Sequence, residues 1–174
     1  REVRRSRMRL RAFVIGDGEL RDTLMEQCEH LGLTFVEAAA GSTAVRADVT
    51  FTSWIHNVET TYPGLDVVAM TSLNEGTPVS LIEAQAAGIP IVTTNVGGIE
   101  NVVLPDDTAI LAQNNNQSDF VDKLLQVTDN AELRRRMTLN GWNFVKDKFH
   151  YTRLVSDVDN LYRELLDNVQ NSVR

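Results

Sequence analysis

The sequence predicts an α/β fold, a parallel sheet with helices on both faces. Apolar runs such as Val67–Met70 are too short for a helix and too continuous for a half-exposed strand, as buried parallel strands are. They alternate with segments whose apolar residues recur every three or four positions. That order lays crossover helices over a parallel sheet. Glycine and proline punctuate the joins, at Gly16-Asp17-Gly18, Gly32, Pro63-Gly64, Gly88 and Gly97-Gly98.

Taken in order, Arg1–Arg9 reads as the end of a helix and Leu10–Ile15 as a strand. Glu19–His30 follows as a helix with Leu20, Leu24, Met25 and Cys28 at helical spacing, and Glu19 and Asp22 suit the positive end of its dipole. Leu33–Val36 is a short strand, 37–48 a loop or surface insertion without period, and Val49–Thr52 a strand. Asn57–Tyr62 is a short helix ending at Pro63-Gly64. After the strand Val67–Met70 comes the polar loop Thr71–Thr77. Pro78 then suits a first helical turn, where its missing N–H has no partner to lose. Val79–Ala87 is helical, Gly88 its left-handed cap, and Ile89–Thr94 the next buried strand. Ile99–Val103 reads as a brief helix and Thr108–Ala112 as the last strand, with a polar loop over Gln113–Ser118. Everything from Asp119 onward is helical, with Gly141 a candidate interruption. Leu154, Val158, Leu161, Leu165 and Val169 line the last helix.

At 174 residues the chain suits one domain, 1–174, with a helical tail over 119–174. It does not begin with Met, and its start reads as a helix end. The expectation is therefore an excised piece lacking its first strand and most of its first helix. Aromatics at 6% and a net charge of -7 argue against nucleic acid as a partner. The charge is uneven: residues 1–11 hold six of the 17 bases and one of the 24 acids. That opening reads as a solvated helix tail or as a patch for phosphate or peripheral membrane contact. Cys28 alone excludes an internal disulfide and a cysteine-based zinc site. It fits a reducing, cytoplasmic setting. No apolar run approaches the ~20 residues a membrane helix needs.

The chemistry is expected between Asp66 and Gly98. In a parallel sheet, ligands gather where a strand's carboxyl end feeds a helix N-terminus. Glu75 sits in such a loop, and Glu83 stands in the apolar, small-residue segment SLIEAQAAG, where a carboxylate is costly unless partnered. Two acceptor oxygens suit the paired hydroxyls of a ribose, and free amides near Pro78 and Val79 suit an anion without a metal. The alternative for Glu83 is a charge on the solvent side of a surface helix. Gly16-x-Gly18 lacks the third glycine of a dinucleotide fingerprint, having Arg21 there. Asp157-Val158-Asp159 falls on a terminal amphipathic helix and reads as a solvated face. His30, His56 and His150 have no ligand spacing.

The run Glu75-Gly76-x-Pro78…Glu83-Ala84-x-Ala86-x-Gly88-x-Pro90-x-Val92, followed by Val96-Gly97-Gly98-Ile99, resembles the family-four retaining glycosyltransferases of GT-B fold. Their mark, two Glu separated by seven residues (E-x7-E), is kept here. The resemblance extends back to Phe13-Val14-Ile15-Gly16-Asp17-Gly18-Glu19-Leu20-Arg21 and Phe51-Thr52-Ser53-Trp54, and forward through the helical tail.

The resemblance implies the Rossmann-like, nucleotide-sugar-binding C-terminal half of a GT-B enzyme. Glu83 would bind the ribose and Glu75 would act at the donor sugar as the catalytic carboxylate. Backbone groups of Gly76, Thr77, Pro78, Val79 and Ser80 would hold sugar and diphosphate. Gly16 and Gly18 would lie by the donor cleft, and Ser53 and Trp54 near the base. The donor implied is a nucleoside-diphosphate sugar, a UDP-sugar first, with no metal or other cofactor. The leaving diphosphate would help deprotonate the acceptor. Pro78 departs from the family by standing where a second glycine, with its N–H donor, is common. The family's Arg/Lys pair and its N-terminal acceptor domain find no counterpart in the chain, so donor binding without robust transfer is expected of it alone. Two other readings are a nucleotide-sugar epimerase of the same fold and a non-catalytic α/β interaction domain.

Overall fold

The computed structural model describes residues 10–38 and 47–172, the side chains of 169–172 excepted. The helix end expected at Arg1–Arg9, most of the 37–48 loop and the side chain of Val169 lie outside these residues. The chain divides into two units, Arg1–Thr60 and Thr61–Arg174.

The first unit holds β1 (Ala12–Ile15), α1 (Arg21–His30), β2 (Phe35–Glu37) and β3 (Val49–Ser53). The strands pair in the order β1-β3-β2, all parallel. Cys28, Val49 and Phe51 form its core with Val14, Met25, Leu33 and Phe35 packed against them. Phe35 and Phe51 meet edge to face at 6.0 Å. The apolar stripe expected on α1 is only half used: Cys28 is buried and Met25 joins the core, whereas Leu20 and Leu24 are exposed. Among the described residues, one buried cluster lies beneath the helix and meets only part of its apolar face.

The second unit holds β4 (Val68–Met70), α2 (Val79–Ala86), β5 (Ile91–Thr94), β6 (Ala109–Ala112), α3 (Gln117–Asp129), α4 (Ala131–Lys148) and α5 (Tyr151–Ser172). Its strands are parallel in the order β4-β5-β6. All four residues of β5 are buried, as a central strand covered on both faces must be. Val92 and Ile110 meet Val127, Leu133 and Met137 from α3 and α4, with Phe120 and Leu124 alongside. The α/β class and the helical C-terminal stretch are as the sequence predicts, but the strands belong to two three-stranded sheets.

Local differences follow chemistry that spacing does not show. The helix expected at Asn57–Tyr62 is two 3-10 turns, Val58–Thr60 and Tyr62–Gly64, and that at Ile99–Val103 is a 3-10 turn over Ile99–Asn101. The polar loop after β6 is shorter, because Asn116 accepts a hydrogen bond from the Asp119 amide at 3.0 Å and starts α3 early. Gly141 does not interrupt α4. It is buried, and a Cβ there would stand 3.3 Å from Gln85 Cγ, so the glycine lets α2 and α4 approach closely. The predicted stripe of α5, from Leu154 through Val158 and Leu161 to Leu165, is exposed. Among the described residues no helix is long and apolar enough to cross a membrane.

Candidate functional site

In the second unit, the loop after β4 runs from Thr71 to Pro78 at the carboxyl end of a parallel strand. Its backbone is tied down twice. The Thr94 hydroxyl at the end of β5 donates to the Ser72 carbonyl at 2.6 Å, and the Gly98 amide donates to the Glu75 carbonyl at 2.9 Å. The second tie requires glycine. A Cβ on Gly97 would lie 1.9 Å from the Glu75 carbonyl oxygen, and one on Gly98 would lie 1.8 Å from that of Gly76. Gly97 also has φ +52°, a left-handed backbone that side chains disfavour. The Gly97-Gly98 turn therefore presses directly on the Glu75-Gly76 peptide and fixes where Glu75 begins.

Pro78 caps α2 without entering it, at φ −71° and ψ 99°, and its side chain offers no capping hydrogen bond. Among the described residues the amides of Val79 and Ser80 have no acceptor, whereas that of Leu81 reaches the Pro78 carbonyl at 3.1 Å. The first turn of α2 thus presents two N–H groups, backed by the helix dipole, beside the exposed residues Gly76 and Thr77. Val79 and Ser80 are themselves exposed.

Glu83 lies one turn further on and is half-buried. Its Oε2 accepts a hydrogen bond from the Tyr62 hydroxyl at 3.0 Å. That hydroxyl also stands 3.2 Å from the Ser80 carbonyl. Tyr62 is 5% exposed, and burial first, then the bond to Glu83 and its charge, raise the phenol's pKa well above its usual range. The half-buried carboxylate is therefore partnered by a protonated donor. Among the described residues Oε1 of Glu83 and both side-chain oxygens of Glu75 have no hydrogen-bond partner.

Gln85, two residues beyond Glu83, is 1% exposed and locks the other side of α2. Its Nε2 donates to the Leu81 carbonyl at 3.0 Å and to the Val102 carbonyl at 2.8 Å. Sequence reading missed both Tyr62 and Gln85. Nothing in the spacing links Tyr62 to a residue 21 positions later, and Gln85 reads as one polar residue in a helix. The buried apolar neighbours of Gln85 in SLIEAQAAG are its one available signal.

In the first unit, Gly16 (φ +115°) and Gly18 follow β1, while Ser53 ends β3 and Trp54 follows it. Asp17 joins these two segments. Its Oδ1 accepts from the Gly18 amide at 2.9 Å, and its Oδ2 accepts from the Ser53 hydroxyl at 2.7 Å. The Ser53 bond foremost, with the Gly18 amide, holds the Asp17 carboxyl below its ordinary pKa. Arg21 is 3.6 Å from Asp17 and 2.8 Å from Glu37. Ser53 adopts φ 56°, a left-handed conformation costly for a residue with a Cβ, and Trp54 is 75% exposed.

Two open depressions of the second unit, of about 500 and 640 Å³, lie away from Glu75 and Glu83. The first is lined by Leu104, Asp107, Asn140 and Lys148, the second by Asn95, Gln113, Asn114 and Lys123. Among the described residues no three His, Cys, Asp or Glu side chains gather as a metal-binding group.

A family model described as glycosyl transferases group 1 matches residues 1–144. The chain is 34% identical over 100 residues to an uncharacterized glycosyltransferase of Methanocaldococcus jannaschii, a match covering 58% of this chain and 28% of that protein. It is 24% identical over 155 residues to the UDP-Gal:alpha-D-GlcNAc-diphosphoundecaprenol alpha-1,3-galactosyltransferase of Escherichia coli, covering 89% of this chain and 37% of that one. The chain thus spans well under half the length of these relatives. Among solved structures, Anabaena HepE in complex with UDP-glucose superposes with a TM-score of 0.74 at 18% identity, over 88% of this chain and 41% of HepE.

Proposed function

The chain belongs to the glycosyl transferases group 1 family, and from that premise we propose that its Thr61–Arg174 unit binds a nucleoside-diphosphate sugar as the donor of a retaining transfer. Glu83 accepts the ribose hydroxyls on its unpartnered oxygen. The amides of Val79 and Ser80, with the loop from Gly76 to Pro78, take the diphosphate and sugar. Glu75 stands at the sugar and stabilises the positive charge that develops as the glycosidic bond breaks. The leaving diphosphate accepts the acceptor's proton, so the reaction calls on no enzymic base and no metal. The activity proposed for this chain by itself is donor binding. Transfer needs the acceptor oriented as well, a term worth roughly 7–11 kcal/mol of the barrier.

One observation carries this reading. A half-buried carboxylate in an apolar helix is held through one oxygen by a buried tyrosine, while the other oxygen remains available one turn from two unbonded amides. A ribose diphosphate presents the matching groups: vicinal hydroxyls at one end and an anion at the other. The crystal complex of HepE with UDP-glucose, and the UDP-Gal in the name of the E. coli relative, support uracil as the first base to try.

Calorimetric titration of the chain with UDP, GDP and their sugars tests the proposal. Saturable heat is expected with one of these nucleotides, weakened at least tenfold in Glu83→Ala. Absence of heat with every nucleotide would overturn donor binding.

A further inference from the structure

We propose that Tyr62 is a positioning residue that sets which oxygen of Glu83 faces the ribose, an inference that rests on the donor reading above. Tyr62 begins the 3-10 turn Tyr62–Gly64, whose geometry is closed by the Leu65 amide donating to the Tyr62 carbonyl at 2.9 Å. Pro63 follows directly and restricts the backbone further. The ring is buried, so it has little freedom to swing its hydroxyl away from α2.

A phenol has one proton and two acceptors compete for it here. The Glu83 carboxylate wins over the Ser80 carbonyl, because it is charged and is nearer, at 3.0 Å against 3.2 Å. Without that bond the two oxygens of Glu83 are chemically equivalent, and the carboxylate turns freely about its last torsion. With it, Oε2 is occupied and Oε1 is the oxygen left for a ligand. The tyrosine so removes an ordering cost that the ribose would otherwise meet on binding. A phenylalanine at 62 keeps the ring and its packing but loses this selection.

The test compares UDP with 2′-deoxy-UDP by calorimetry on the full chain and its variants. A hydrogen bond to a charged group predicts that the parent prefers UDP by about tenfold or more, and that Glu83→Ala brings this ratio near one. Tyr62→Phe is expected to cut the ratio to about threefold or less while retaining the parent's circular dichroism. A general loosening of the fold would weaken both nucleotides alike and leave the ratio intact, and that outcome overturns the positioning role. A parent that does not distinguish the two nucleotides overturns the ribose assignment of Glu83 and the inference with it. A parent that distinguishes them, a Glu83→Ala that does not, and an unaltered ratio in Tyr62→Phe overturn the inference alone. Should Tyr62→Phe fail to fold, the parent with 13Cζ-labelled tyrosine serves instead. The Tyr62 signal should move with UDP and stay put with inorganic pyrophosphate, and a signal indifferent to UDP refutes the role.

Discussion

Gly98→Ala isolates the contact on which the candidate site is built. Gly98 has φ −87°, which alanine adopts without strain, so the perturbation is the added methyl group alone. That methyl would stand 1.8 Å from the Gly76 carbonyl oxygen and 3.0 Å from its carbon, whereas ordinary contact begins at 3.4 Å. The turn and the loop must therefore part by about 1.6 Å, and the blocking atoms are backbone, which cannot rotate aside. Such a separation also breaks the 2.9 Å bond from the Gly98 amide to the Glu75 carbonyl. Overpacking costs about 1–3 kcal/mol and the lost bond about 0.5–1.5, so destabilisation of about 2–4 kcal/mol is expected. In thermal denaturation that is a fall on the order of 5–15 °C for the Thr61–Arg174 unit. Gly76→Ala is the control. A Cβ there meets nothing within 4 Å, so its effect should stay within about 1 kcal/mol. UDP titration should show the Gly98 variant losing affinity beyond its loss of stability, since Glu75 moves with its own carbonyl. A Gly98→Ala protein that melts with the parent and binds UDP equally well would refute the claim that this turn positions the loop.

Two further outcomes follow from the same structure. Met137→Ala, at a site 1% exposed among Val92, Ile110, Val127 and Leu133, should lose about 2–5 kcal/mol in urea denaturation, and a loss under 1 kcal/mol would contradict the packing described. Asp17 should titrate below its ordinary value of 3.8, so its favourable contribution is present above that value and is lost as pH falls through the folded pKa. Ser53→Ala removes the largest cause, and a carboxyl titration followed by NMR that does not rise in this variant would deny the Ser53 bond that role.

What the sequence disclosed was its local chemistry. The strand Ile91–Thr94 was visible because a strand buried on both faces must be apolar or small throughout, and the Gly88 cap because φ +73° is a glycine conformation. Boundaries set by a residue's own neighbours came out within a few positions. Features decided by distant partners did not. Which strands pair depends on contacts between segments tens of residues apart, and the apolar period of α1 and α5 says that a face is apolar, not that something covers it. Gly141 shows the same limit in reverse. Helix propensity marks it as a weak point, but its lack of a side chain is what allows the Gln85 contact.

The candidate site joins both kinds of information. The interval of seven residues between Glu75 and Glu83 is legible as a number, yet it spans a loop, a proline and one turn of helix, so by itself it fixes no distance. It becomes geometry only because each end is held from outside the interval, Glu75 by the Gly97-Gly98 turn and Glu83 by Tyr62. A carboxylate free to turn would surrender that freedom on binding, whereas that of Glu83, already held by Tyr62, surrenders less; for Glu75 it is the backbone that is held. The glycine pair was readable as a turn, but its contact with the Glu75 and Gly76 carbonyls, more than twenty residues away in the chain, was not. Tyr62 was not readable, because a buried tyrosine looks the same in sequence whether it fills the core or aims a carboxylate. On the donor-binding proposal, the pattern of the two glutamates marks where a ligand would be held, and residues outside the pattern determine how firmly.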